Sequence, residues 1–398
     1  SFGTVYIAIN HDDGQEYAAK VIDISDGFNG KQQMKFLQES STLHKLDHPS
    51  IVKFIGINFQ SFQDPSKLEP SIITEYLPNG SLKINLNKEE HSIADHNWSF
   101  TKKYITLLGI SDAMRYLHEH GVIHRDLKPE NVLFDENFYP RVCDFGLSKC
   151  FMKELTQSTN LAMTGEVGTP LYMAPELLRG DEVYGPSVDV FAFSILAYEI
   201  VSGKDPYREP GQTVTPFALA NKIIKGDRPK LNDCFSDKMK ELISRCWDPS
   251  PEKRPTFREI FEKLSTDFSY FKESVDVEEI NDYLDNLRLY QQSTKDKEPK
   301  DEKDKEIEKL RKENRELKKQ MKEGTDGLKQ KSINYLILAL NAFIGNVNEI
   351  NIRRAIHYLK KSSELGNYYS TYILGLLHES GYKYIKQDFN KALNYYLK

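Results

Sequence analysis

A mixed α+β domain followed by an all-α segment is the architecture that this sequence predicts, on three observations. Short β-branched runs at residues 5–9 and 51–54 come first and give way to longer helical patterns within residues 1–268. Residues 295–323 then carry 12 Lys/Arg and 10 Asp/Glu, so 22 of 29 positions are charged and none is aromatic. Such a stretch has little to bury and reads as an exposed helix or a solvated linker. From about Ser332 apolar and aromatic residues return, and they repeat. Tyr335, Leu336 and Ile337 recur as Tyr372, Ile373 and Leu374, and Ile352, Ala355, Tyr358 and Lys361 recur as Phe389, Ala392, Tyr395 and Lys398, always 37 residues on. That period is of the solenoid type, in which each helix pair buries its apolar face against the next. Gly366 fits a helix C-cap and Gly381 a second break.

At roughly 100–200 residues per domain, 398 residues suggest two or three domains. The expected boundaries are 1–268, 269–331 and 332–398. Lys+Arg 54 against Asp+Glu 59 gives a net charge of -5, too balanced for a general nucleic-acid or membrane-surface binder. Hydrophobic content of 39% with 43 Phe and Tyr supports a sizeable core. Cys143, Cys150, Cys234 and Cys246 form no CxxC pair, which favours a reducing compartment; a cytoplasmic location is expected. No run reaches the ~18 apolar residues of a membrane span. Residues 188–201, interrupted by Asp189 and Glu199, and 333–344, interrupted by Asn334 and Asn341, read as buried helices. The chain opens on Ser1 and stops inside a periodic pattern, so a fragment at both ends is expected.

The polar residues of the first domain come in a telling order. Gly3 precedes a strand-like run; a lone glycine there is more often a turn than a phosphate cradle. Tyr17-Ala18-Ala19-Lys20 is a strand that turns one ammonium inward, where it needs an anion. Glu39 is the candidate, on the helical pattern Met34, Leu37, Ser41, Leu43, Leu46, although a glutamate on such a helix is by itself more often solvated. His124-Arg125-Asp126-Leu127-Lys128-Pro129-Glu130-Asn131 is the strongest signal. Asp126 can accept a hydroxyl proton, and Asn131 can offer an amide oxygen to a hard cation. Eighteen residues beyond Asp126 stands Asp144-Phe145-Gly146, a carboxylate suited to Mg²⁺, and Ala174-Pro175-Glu176 follows.

In this order and spacing, residues 1–268, about two thirds of the chain, resemble a eukaryotic protein kinase. The resemblance implies a two-lobed α+β fold, with ATP between a β-rich small lobe and a helical large lobe. It makes Gly3 the last glycine of the phosphate-covering loop and sets Val5 and Ala18 against adenine. Lys20 would contact the α/β-phosphates and pair with Glu39; Asp126 would be the catalytic base, with Lys128 steadying the transferred phosphoryl. Asn131 and Asp144 would hold Mg²⁺. Thr74 would be the gatekeeper, Glu75 and Leu77 would offer backbone groups to adenine, and Leu133 would form its floor. Lys128 with Pro129-Glu130-Asn131, and Gly168-Thr169-Pro170, resemble the serine/threonine type; Thr169 would bond to Asp126 and Lys128. Cys246-Trp247-Asp248-Pro249, Arg254-Pro255 and Ser187-Val188-Asp189 resemble the tyrosine-kinase-like group. Arg254 would be the buried partner of Glu176.

Two glycines of the family's loop and its first strand are missing from this chain. The expected function is a protein serine/threonine kinase; the alternative is a pseudokinase or scaffold that binds partners without phosphoryl transfer. Arg125 would pair with a phosphate on Ser158, Thr159 or Thr164. Cys143, next to Asp144, is either an inert buried thiol or one that faces ATP. His44, His48, His91 and His96 lack metal-ligand spacing. Ile307, Leu310, Asn314, Leu317 and Met321 follow heptad spacing with Asn at an a position, so a homodimer through 307–321 competes with a single charged helix. The 37-residue units resemble Sel1-like repeats, relatives of tetratricopeptide repeats, which implies protein partners.

Overall fold

The computed structural model describes residues 3–10, 14–23, 36, 39–40, 42–63, 68–145, 149–150, 170–181, 184–207, 214–295, 335, 339, 349–366, 368–380 and 388–397. Gly146, Gly168, Thr169, the three candidate phosphorylation positions and the heptads at 307–321 lie outside them.

Strands β1 (Gly3–Ile9), β2 (Glu16–Ile22), β3 (Phe54–Gln60) and β4 (Leu68–Glu75) form one antiparallel sheet in the order β1-β2-β4-β3. Its register sets Val5 opposite Lys20 and Lys20 opposite Ile72, with Ala18 opposite Thr74. Gly3 is required here for a steric reason. A Cβ at that position would lie 2.1 Å from the Val21 carbonyl oxygen on the neighbouring strand. Behind the sheet, Phe36, Glu39, Ser40, Thr42 and Leu43 are helical, and Phe36 and Leu43 are buried.

Helices dominate from residue 82 on: α1 (Leu82–Glu90), α2 (Phe100–Glu119), α3 (Pro175–Arg179), α4 (Ser187–Ser202), α5 (Pro216–Ile224), α6 (Asp237–Cys246) and α7 (Phe257–Thr266). Ser99 caps α2, its hydroxyl accepting from the Lys102 N–H at 3.2 Å. Between α2 and α3 the described residues form four short strands, β5 (Val122–Ile123), β6 (Val132–Phe134), β7 (Pro140–Val142) and β8 (Lys149–Cys150). β6 pairs with β7 and β5 with β8, and these pairs carry the polar motifs. Residues 188–201 of α4 are buried on all sides, as expected of an apolar run too short to span a membrane. No helix among the described residues is long and apolar enough to cross one.

The packed core runs on past residue 268. Tyr270 and Phe271 are buried, and α8 (Val277–Lys295) buries Ile280, Tyr283, Leu284 and Leu287. Further along, the described residues include the helices α9 (Glu349–Glu364), α10 (Tyr368–Ser380) and α11 (Phe389–Leu397), with α10 packed against both neighbours. Ala355 and Ala392, one period apart, are both fully buried. Gly366 takes the left-handed conformation (φ 82°) that ends α9.

Candidate active site

Strand β2 delivers Lys20 to two carboxylates far away in sequence. Its Nζ donates to Glu39 Oε1 at 2.7 Å and to Asp144 Oδ1 at 3.1 Å. Burial alone would lower the ammonium's pKa, but Glu39 and Asp144 outweigh it and hold the group above its ordinary value, hence charged. Glu39 is buried against the half-buried Lys20 rather than solvated.

The second group forms around Asp126. Lys128 Nζ donates to Asp126 Oδ2 at 2.6 Å. Asn131 Nδ2 donates to the Asp126 carbonyl at 2.7 Å and to its Oδ2 at 3.0 Å, which leaves the amide oxygen as the atom to meet a cation. The Cys143 N–H donates to the Asn131 carbonyl at 2.9 Å, so the segment carrying Asp144 is tied to the loop carrying Asp126. Arg125 and Asp144 both sit in the left-handed region, at φ 65° and 63°. Non-glycine residues hold that conformation only where surrounding contacts impose it.

At Arg125 those contacts come from α4. Asp189 accepts the His124 N–H at 2.9 Å and the Arg125 N–H at 2.8 Å, and lies 2.9 Å from His118 Nε2. Burial would raise the Asp189 carboxyl, yet these partners hold it below the usual range. Below, the buried Phe145 ring packs 5.1 Å from His124, fixing the residue after Asp144. Asp189 is marked in the sequence by its place in Ser187-Val188-Asp189 and as a carboxylate inside a largely apolar run, which must find partners; its partners are not. Tyr184, whose hydroxyl accepts from Arg125 at 2.8 Å, carried no signal.

In the four-stranded sheet Thr74 on β4 stands opposite Ala18 on β2, and Leu77 just beyond β4 is buried. The Glu75 N–H donates to the Lys53 carbonyl at 3.0 Å, its carboxylate accepts the Lys53 N–H at 2.7 Å, and its carbonyl accepts the Thr74 hydroxyl at 3.4 Å. Leu133 lies on β6, bridged to Ser81. Burial and the neighbouring Asp144 push the Cys143 thiol well up, the state of an unreactive cysteine. His48 pairs with buried Asp112 at 3.1 Å, and His91 bonds to the Asn87 carbonyl at 2.7 Å. No group of three His, Cys, Asp or Glu that could hold a metal occurs among the described residues. Arg254 clasps Glu176 with two bonds, at 2.6 and 2.9 Å.

Residues 1–264 match the family profile described as protein kinase domain. The chain is 36% identical over 265 residues to a probable serine/threonine-protein kinase of Dictyostelium discoideum, covering 67% of this chain and 26% of that one. It is 36% identical over 262 residues to the dual specificity protein kinase shkB of the same organism, covering 65% and 37%. Against the serine/threonine-protein kinase CTR1 of Arabidopsis thaliana it is 35% identical over 268 residues, covering 66% and 30%. The chain thus spans between about a quarter and two fifths of these relatives' length.

Proposed function

The chain belongs to the protein kinase family, and from that premise we propose that it transfers the γ-phosphate of ATP to serine and threonine hydroxyls of proteins. One observation carries the reading. Lys20, Glu39 and Asp144, and again Asp126, Lys128 and Asn131, converge in two hydrogen-bonded groups joined through the Cys143–Asn131 bond. A scaffold that had given up phosphoryl transfer has no need to keep this set together.

In the proposed mechanism Asp126 orients the acceptor hydroxyl and takes its proton, while Lys128 beside it faces the transferred group. Lys20, kept charged and aimed by Glu39, holds the α- and β-phosphates. Adenine lies between Val5 and Ala18 on one side and Leu133 on the other, with Thr74 as gatekeeper and backbone groups of Glu75 and Leu77 at its edge; Gly3 approaches the phosphates. A hard divalent cation, Mg²⁺, fits Asp144 and Asn131: two oxygen donors are too few for a closed protein site and suit an ion that completes its shell with phosphate oxygens and water. When bound, it would neutralise phosphate charge. The chain's own contribution is positioning and electrostatic stabilisation.

The finer assignments belong to the same proposal. The kinase domain begins at residue 1 and takes in the packed helix Val277–Lys295 beyond the boundary at 268, a charged linker runs from there to 331 and repeats occupy 332–398, and the kinase is of the tyrosine-kinase-like group. The C-terminal units are Sel1-like repeats that recruit protein partners; buried Ala355 and Ala392, in register one period apart, support them. Residues 307–321 pair in a homodimer, and the protein works in the reducing cytoplasm. The test is incorporation of labelled phosphate into a generic protein substrate by the full-length parent and its Asp126→Asn variant. Incorporation by the parent alone is expected; equal incorporation by both would overturn the role of Asp126, and none by either would overturn the enzyme.

A further inference from the structure

Helix α8 lies beyond residues 1–264, the part matched by the family profile, yet it is fastened to the catalytic unit along its length. At its start the Asp276 N–H donates to Thr101 Oγ1 at 2.8 Å, and Glu279 meets Lys102 at 2.5 Å. At its far end the Tyr290 hydroxyl donates to Asp47 Oδ1. Midway, Tyr283 is buried; its hydroxyl lies 3.0 Å from Ser50 Oγ and its ring 4.8 Å from that of Tyr139. Room for it is made in α2 by Gly109, where a Cβ would come within 2.4 Å of both the Tyr283 hydroxyl and the Pro140 ring.

Ser50 is an unusual place to fasten a helix. It belongs to the turn that leads out of the helical residues around Glu39. Its carbonyl accepts the Val142 N–H at 2.8 Å, and the Val52 N–H donates to the Val142 carbonyl at 3.0 Å. Val142 stands two residues before Asp144, and the intervening Cys143 is bonded to Asn131. Tyr283 is therefore one residue removed from the strand that sets Asp144, and it touches that strand's neighbour Tyr139 as well.

We propose that helix Val277–Lys295 is a positioning element for the phosphoryl-transfer site, with Tyr283 as the positioning residue that acts through Ser50 on strand β7 and so on Asp144. It rests on the kinase reading above and adds a residue outside the family's matched region. Because small displacements of a reacting group are felt steeply in rate, the effect falls on turnover rather than on ATP affinity.

The experiment compares full-length wild type with Tyr283→Phe, which keeps the ring and removes the hydroxyl, with Ser50→Ala, and with the double variant. Three quantities are read: kcat and KM for ATP, the thermal midpoint, and hydrogen exchange of the peptide covering residues 140–144. The expected result is a kcat lowered about tenfold with KM moved less than about twofold, faster exchange at 140–144, and a double variant no worse than either single one. Unchanged kcat and exchange would overturn the proposal, whether or not the thermal midpoint falls. Additive losses in the double variant would overturn the route through Ser50. A wild-type chain without transferase activity would count against the kinase reading alone, since the exchange result still decides whether Tyr283 holds β7.

Discussion

A charge placed where water cannot reach it must be answered by a partner, and three residues show the range of answers. Asp189 is satisfied by two backbone N–H groups and His118, and in return it imposes the left-handed backbone at Arg125. Arg254 and Glu176 answer each other in a two-bond clasp. Arg254→Ala strands a buried carboxylate and should cost about 3–5 kcal/mol in urea unfolding, whereas the Arg254→Ala/Glu176→Ala double variant should recover part of that loss. Glu199 is the incomplete case: Oε1 accepts from the Tyr172 hydroxyl at 2.9 Å, while Oε2 finds no hydrogen-bond partner among the described residues. Burial pushes its carboxyl up to about 8, with Asp205 and Glu130 adding to the shift and Tyr172 and Lys83 opposing it. The folded state therefore holds a proton that the unfolded chain releases near the ordinary carboxyl value. The stabilising contribution is complete below about pH 4.5 and is lost as pH rises to about 8, at on the order of 1 kcal/mol per pH unit. Glu199→Gln should leave the thermal midpoint nearly unchanged at pH 5 and raise it at pH 8; equal shifts at both would show an ordinary carboxyl.

Strands and helices here formed largely where local pattern placed them, but their faces were assigned by neighbours. The β2 pattern set one lysine inward, and only the register opposite Ile72 brought it to Glu39 and Asp144. Helix α2 illustrates a conflict between levels. Glycine in a helix interior costs about 1 kcal/mol relative to alanine, so propensity alone recommends replacing Gly109. The structure opposes this, because the new methyl would meet the Pro140 ring and the Tyr283 hydroxyl at 2.4 Å. Gly109→Ala should accordingly lower the thermal midpoint; a rise would mean that α8 does not pack so closely. All of α8 lies in the segment 269–331 expected to be a charged helical linker, and four apolar positions at helical spacing, Ile280, Tyr283, Leu284 and Leu287, were the signal that it has a buried face.

At the scale of the molecule the question is where the catalytic unit ends. Four buried side chains of α8, at about 1.5–3 kcal/mol each, are a large fraction of the stability of a typical domain. A chain ending at Ser274 should melt well below one ending at Lys295, and equal midpoints would make α8 an appendage. Asp144→Asn should abolish metal-dependent phosphate transfer while leaving the fold's circular dichroism intact. The order and spacing of the polar motifs, the β-to-α progression and the 37-residue period could be read from the chain alone, because each depends on residue type and local repeat. Tertiary structure decided the rest: that Glu39 is buried and pairs with Lys20, that Asp189 holds the loop of Asp126, and that a helix beyond residue 268 reaches back to Ser50. Such pairings join positions tens to hundreds of residues apart, and no local pattern encodes which buried donor will meet which acceptor once the chain has closed.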